Sequence, residues 1–178
     1  MSVMEAYQIL LLILVFVSFL YLTVIVYVLG QIRQFKNRLK REIKGLNLLL
    51  YERGDTVTAI VSLFQKEGVV ISEEEMTSFD AVALLKYDVA TEESYRLHAS
   101  KVKDATTRVR YLAQANPWAT KHEDYPGYIA LLDDLERNHR TLVGQYNLDL
   151  LAFNYWVNIP TLRWLARLIG MKPRSNIN

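Results

Sequence analysis

No charged side chain interrupts residues 6 to 32, and 21 of the 25 residues from Ala6 to Gly30 are apolar or aromatic. As an α-helix rising 1.5 Å per residue this run is roughly 40 Å long, more than the roughly 30 Å hydrocarbon core of a bilayer. It reads as a membrane span. The other residues of the 178, about 153, are roughly 46% hydrophobic, the usual composition of one water-soluble domain. The chain therefore reads as one anchor plus one domain. The absence of cysteine excludes disulfides, thiolate metal sites and a Cys nucleophile.

A secretory signal would begin with Lys or Arg and end at a small-residue cleavage site. Here "MSVME" carries no basic side chain and the run closes on "VYVLGQIR". Directly after it come Arg33, Lys36, Arg38, Lys40, Arg41 and Lys44, six cations against Glu42 alone. The positive-inside rule then places residues 1–5 outside, the span at 6–32 and the rest in the cytoplasm. Tyr7, Tyr21 and Tyr27 are either headgroup-level anchors or apolar filler.

Beyond the collar, Leu39, Ile43, Leu46, Leu50, Val57, Ile60 and Phe64 keep a 4-3-4-3 spacing, with Arg53 as the one polar member. That heptad seam predicts that the membrane helix runs straight on to about Glu67, where Gly68 and "VVI" stop it. Gly54 marks a candidate irregularity. "SEEE" at 72 to 75 is a capping box that opens a second helix, with Met76, Phe79, Val82, Ala83 and Leu85 on its apolar face. Its end falls near 86 to 90, where Asp88 and Thr91 are both plausible caps. Tyr95, His98, Val102, Ala105, Val109 and Leu112 predict a third helix ended by Pro117. Tyr128, Leu132, Leu135, His139, Leu142, Tyr146, Leu150 and Phe153 predict a fourth, running to about Val157. Pro160 suits the first turn of a short last helix, "PTLRWLARLIG". The expected fold is all-α: a transmembrane helix continuing into an antiparallel up-and-down four-helix bundle (33–159), then a basic amphipathic helix and tail (160–178).

The run "YNLDLLAFNYWVNIP", with Tyr146, Asn147, Leu150, Phe153, Asn154 and Pro160, resembles the signature near the end of LemA-family proteins. Leu49, Arg53, Asp55, Ile60 and Val61 resemble that family's first soluble helix, and Asn116, Pro117 and Glu136 fall at further family positions. Thr58, Ala59 and the Val143–Gly144 region depart from the pattern. The resemblance implies a membrane-anchored four-helix bundle from a bacterium, in the inner membrane, with no enzymatic activity established for the family.

Glu136 and His139 form Glu-x-x-His, the spacing that ferritin-like bundles use at di-iron centres. Only one copy is present, since neither His98 nor His122 has a glutamate three residues upstream. His139 on an apolar stripe reads first as a hydrogen-bonded core histidine, and no cofactor is implied. Arg53 is expected either to snorkel or to pair with a carboxylate from a neighbouring helix, for instance one near Glu73 to Glu75. Asn147 and Asn154, seven apart, read as interhelical hydrogen-bonding groups. No phosphate loop, nucleophile elbow or paired catalytic carboxylate is visible.

Charge is segregated along the chain. Residues 31 to 44 carry net +5, residues 160 to 178 net +4 and residues 45 to 159 net −6, which with Glu5 gives the overall +2. If the fourth helix returns toward the membrane, Arg163, Trp164, Arg167 and Lys172 arrive near the basic collar. Leu162, Trp164, Leu165, Leu168 and Ile169 then form one arc, which either lies on anionic lipid or caps the bundle. The first reading of function is a non-enzymatic interaction or scaffolding module at the inner leaflet. Its partners are anionic lipid, an unidentified protein or a second copy, and not nucleic acid. The alternatives are a metal-binding bundle and a signalling accessory.

Overall fold

The computed structural model describes residues 3–85, 91–160 and 163–177, which contain helices and no strand. The helices are α1 (Val3–Lys66), α2 (Glu73–Ala83), α3 (Glu92–Ala115), α4 (Tyr125–Val157) and α5 (Arg163–Leu168), with a 3-10 turn at Ala119–Lys121. The chain divides into two compact units: Met1–Arg38 with Asp149–Ser175, and Leu39–Leu148 with Asn176–Asn178. Helices α1 and α4 each contribute to both.

In the first unit, α1 is the one helix among the described residues long and apolar enough to cross a membrane. Of its described side chains from Met4 to Tyr27, all are exposed except half-buried Ile25. These residues cover about 35 Å of helix, sufficient for a bilayer core. Protein packing begins at Val28 and Ile32, both buried, so the last turns of the uncharged run face protein rather than solvent. Beside them Tyr27 meets Trp156 edge to face, with centroids 6.1 Å apart. Tyr7 and Tyr21 are exposed.

In the second unit the 4-3-4-3 seam is the buried face of α1, from Leu39 through Ile43, Leu46, Leu50, Arg53, Val57 and Ile60 to Phe64. Helix α1 runs through Gly54 without a break, contrary to the expected irregularity. Gly54 is itself buried, and its carbonyl accepts from the Thr58 hydroxyl at 3.0 Å, so the missing side chain leaves the helical bonding intact. At the helix end Gly68 adopts φ +77°, a left-handed conformation that costs glycine no Cβ clash. Val69 N–H then donates to Phe64 O at 2.9 Å and Gly68 N–H to Gln65 O at 3.1 Å, the two bonds of a Schellman stop.

Ser72 caps α2 as expected. Its hydroxyl accepts from Glu75 N–H, and Glu75 Oε2 accepts from Ser72 N–H at 3.0 Å. The Ser72 hydroxyl and N–H together hold the Glu75 carboxyl below its ordinary pKa. Phe79 and Val82 are buried, whereas Ala83 is exposed as the last residue of the helix, which stops short of the expected 86 to 90. Thr91 is the cap of α3, through a reciprocal pair with Ser94. Asp88 lies outside the described residues. Tyr95, His98, Val102, Ala105, Val109 and Leu112 form the buried stripe of α3, which ends at Ala115 before Pro117. Helix α4 starts at Tyr125, with Pro126 in its first turn where a missing N–H costs nothing.

Candidate functional site

The polar groups of the second unit gather around Arg53. Helix burial leaves this residue 4% exposed, with Nη2 donating to the Thr106 hydroxyl at 3.4 Å and Nε without a partner. The expected ion pair with Glu73 to Glu75 is not formed: Glu75 closes the cap of α2, and Glu74 lies 3.9 Å from Arg108. The reason is position, since the three glutamates occupy the exposed first turn of α2 while Arg53 sits in the seam of α1. Burial pushes the Arg53 pKa down, and Glu136 opposes that push.

On the α3–α4 side the Tyr95 hydroxyl lies 2.8 Å from His139 Nε2, and the two rings stack with centroids 5.9 Å apart. Burial raises the Tyr95 hydroxyl to about 12. Burial first, then the charge of Arg53, lowers the His139 imidazole to about 4. The imidazole is therefore neutral at pH 7, and its Nε2 shares one hydrogen bond with the phenol. Glu136 Oε2 takes Arg110 at 3.3 Å and Oε1 takes Arg140 at 3.1 Å. Arg110 also binds Asp133, and that hydrogen bond is the main reason its pKa is raised.

Glu136 and His139 thus sit one turn apart without pointing free lone pairs at a common centre. Both carboxylate oxygens and Nε2 are engaged, and the nearby charges of Arg53, Arg110 and Arg140 oppose a cation. No group of three or more metal-ligating His, Asp or Glu occurs among the described residues. Asp55, another signature residue, is exposed on α1.

Asn147 and Asn154 do not bridge helices as expected. Each grips the chain after α5. In the second unit Asn147 Nδ2 donates to Ile177 O at 2.9 Å while its Oδ1 accepts from Ile177 N–H at 3.1 Å. In the first unit Asn154 does the same to Arg174, with both bonds at 2.9 Å. The Arg174 guanidinium lies over the Phe153 ring, 5.6 Å from its centroid. The sequence reading missed these clamps because their partners are main-chain groups, which leave no side-chain pattern. The one available signal was an isoleucine standing alone in the polar run "SNIN". Tyr146, directly before the first clamp in sequence, is buried.

The membrane-facing candidates fall as follows. Arg33, Lys36 and Arg38 of the first unit are exposed, with Arg38 5.5 Å from the Phe35 ring centroid. Lys40, Arg41 and Lys44 of the second unit are exposed as well. In α5, Ala166 is buried while Arg163, Trp164, Arg167 and Leu168 are exposed. Pro160 precedes α5 in an exposed turn instead of forming its first helical residue. A cleft of about 530 Å³ is lined by Arg163, Arg167 and Lys172 together with Val157, Asn158 and Met171, three cations and no acid. In the first unit Leu151 and Tyr155, four residues apart on α4, are exposed.

Comparison with known proteins gives no match among family models, curated proteins or solved structures.

Proposed function

We propose that this chain is a single-pass membrane protein of LemA type whose cytoplasmic helices form an antiparallel up-and-down four-helix bundle, serving without catalysis as an interaction or scaffolding module at a bacterial inner membrane. One observation carries the reading. A single helix, α1, holds an exposed apolar stretch over residues 4–27 and a buried heptad seam over residues 39–64. Such a helix is stable only if lipid covers the first part and protein the second.

Pairings within the second unit support the antiparallel arrangement. Tyr95 meets His139 and Arg110 meets Asp133, so the partner number falls along α4 as it rises along α3. The acid and base candidates are each engaged by other side chains, Glu136 by Arg110 and Arg140 and His139 by Tyr95, which favours a module that binds over one that reacts. Exposed Leu151 and Tyr155 of the first unit are apolar surface of the kind that contacts other proteins. The collar and the cleft of Arg163, Arg167 and Lys172 suit anionic headgroups, which attract each nearby Lys or Arg by about 1 kcal/mol. Exposed Trp164 and Leu168 favour lipid contact for α5 over capping of the bundle.

The lack of cysteine makes the topology directly testable. Met4→Cys is expected to react with a membrane-impermeant maleimide on intact cells, and Ser100→Cys only after lysis. The opposite pattern overturns the orientation. Crosslinking in native membranes followed by mass spectrometry is expected to recover neighbours, and recovery of a monomer alone overturns scaffolding. For lipid, the triple variant Arg163→Glu, Arg167→Glu, Lys172→Glu is expected to sediment less with anionic than with neutral bilayer fragments when compared with the parent chain. Equal partition of both proteins refutes the headgroup reading.

A further inference from the structure

Residues 171–177 belong to no helix or strand, yet their end is held closely. Asn147 of α4 reads the main chain of Ile177 at both its N–H and its carbonyl, as a neighbouring β-strand would. Arg96 of α3 adds a third bond, its Nη2 donating to Asn176 O at 2.9 Å. The Ile177 side chain is fully buried while Ser175 and Asn176 on the same segment are exposed. Arg96, Asn147, Asn176 and Ile177 all lie in the second unit.

We infer that Arg96 and Asn147 form a recognition site for an extended peptide, filled in this structure by residues 176 and 177, and that its other occupant is the same segment of a second copy. The three hydrogen bonds go to main-chain atoms, so they require an extended backbone and leave selectivity to the one buried side chain. Release of residues 176 and 177 unfolds no helix, because the described residues 171–177 form none. Each copy carries one site and one segment, so an exchanged segment can remake the same three hydrogen bonds and bury the same isoleucine. A shared bilayer raises the local concentration of the second segment. This inference rests on the reading of the chain as a membrane-anchored interaction module and names its partner.

The test uses the chain in detergent micelles with residues 174–178 deleted. The probes are a fluorescein-labelled, amidated peptide, KPRSNIN, and its variant with aspartate in place of isoleucine. The deleted chain is expected to bind the isoleucine peptide at least tenfold more tightly than the aspartate peptide. Adding Asn147→Ala should abolish that preference, and the intact chain should bind at least tenfold more weakly because its own segment fills the site. Full-length Ile177→Asp provides a second acceptor with an emptied site, so a folding defect in the deleted chain does not remove the test. A tagged intact copy should then capture either acceptor in proteoliposomes, and a tagged Ile177→Asp copy should not. Equal binding of the two peptides, binding indifferent to Asn147, or capture indifferent to Ile177 overturns the inference. If those results come with external labelling of Met4→Cys intact, the membrane-anchored reading stands and only the segment's role falls.

Discussion

Acidification from pH 7 to pH 5 is expected to destabilise the helical domain through His139. The folded imidazole titrates at about 4, held down first by burial and then by Arg53 and Arg140, against a weaker upward pull from Glu136. In the unfolded chain it titrates near its ordinary value of about 6.5. Between those values the unfolded state carries the extra proton, so stability rises with pH and is lost as pH falls from about 6.5 toward 4. The full gap corresponds to about 3 kcal/mol, of which about 2 kcal/mol has been lost by pH 5. The ring is only half-buried, and solvent screening reduces that loss to about 1 kcal/mol. The assay is urea unfolding of the full chain in micelles, followed by circular dichroism at pH 7 and pH 5. His98, also lowered by burial, and the carboxylates titrate in parallel, so the decisive quantity is the difference from His139→Gln. That variant keeps a hydrogen-bonding group opposite Tyr95 and has nothing to protonate. If parent and variant lose the same stability between the two pH values, the account of His139 as a neutral core histidine is refuted.

Three further outcomes are expected from two variants of the second unit. Arg53→Met should match the parent or exceed it by about 1 kcal/mol, because a buried guanidinium with one 3.4 Å bond gains little against its desolvation. The same variant should raise the His139 pKa, read by NMR titration of labelled imidazole; a loss above about 2 kcal/mol or an unmoved imidazole contradicts the cluster described. Ser72→Ala should cost about 1 kcal/mol in urea unfolding by removing the cap of α2, and an unchanged midpoint contradicts the capping box.

The local signals in the sequence are stereochemical, and most carried through, although Gly54 breaks no helix and Pro160 lies ahead of α5. Ser72, Thr91 and Gly68 act within a few residues of themselves, so the end of α1 and the starts of α2 and α3 were legible from spacing and residue type, whereas α2 stops at Ala83, short of the expected 86 to 90. The heptad seam was legible for the same reason, since a helix fixes which residues share a face before it meets any partner. The uncharged run announced a helix too apolar for water, although only packing at Val28 and Ile32 showed where its exposed surface stops.

The partners of polar side chains were not legible. Arg53 found Thr106 rather than a glutamate of α2, His139 found Tyr95, and Glu136 found Arg110 and Arg140. Each pair joins residues far apart in the chain or chooses among several equally spaced candidates, and spacing along one helix says nothing about what the facing helix presents. Asn147 and Asn154 make the point most sharply. Their seven-residue interval fixed a shared face on α4, but it was the return of the chain after Gly170 that put main-chain groups opposite them. The sequence determined the helices and their faces because those depend on neighbours in the chain; tertiary structure decided the contacts because hydrogen bonds and burial depend on neighbours in space.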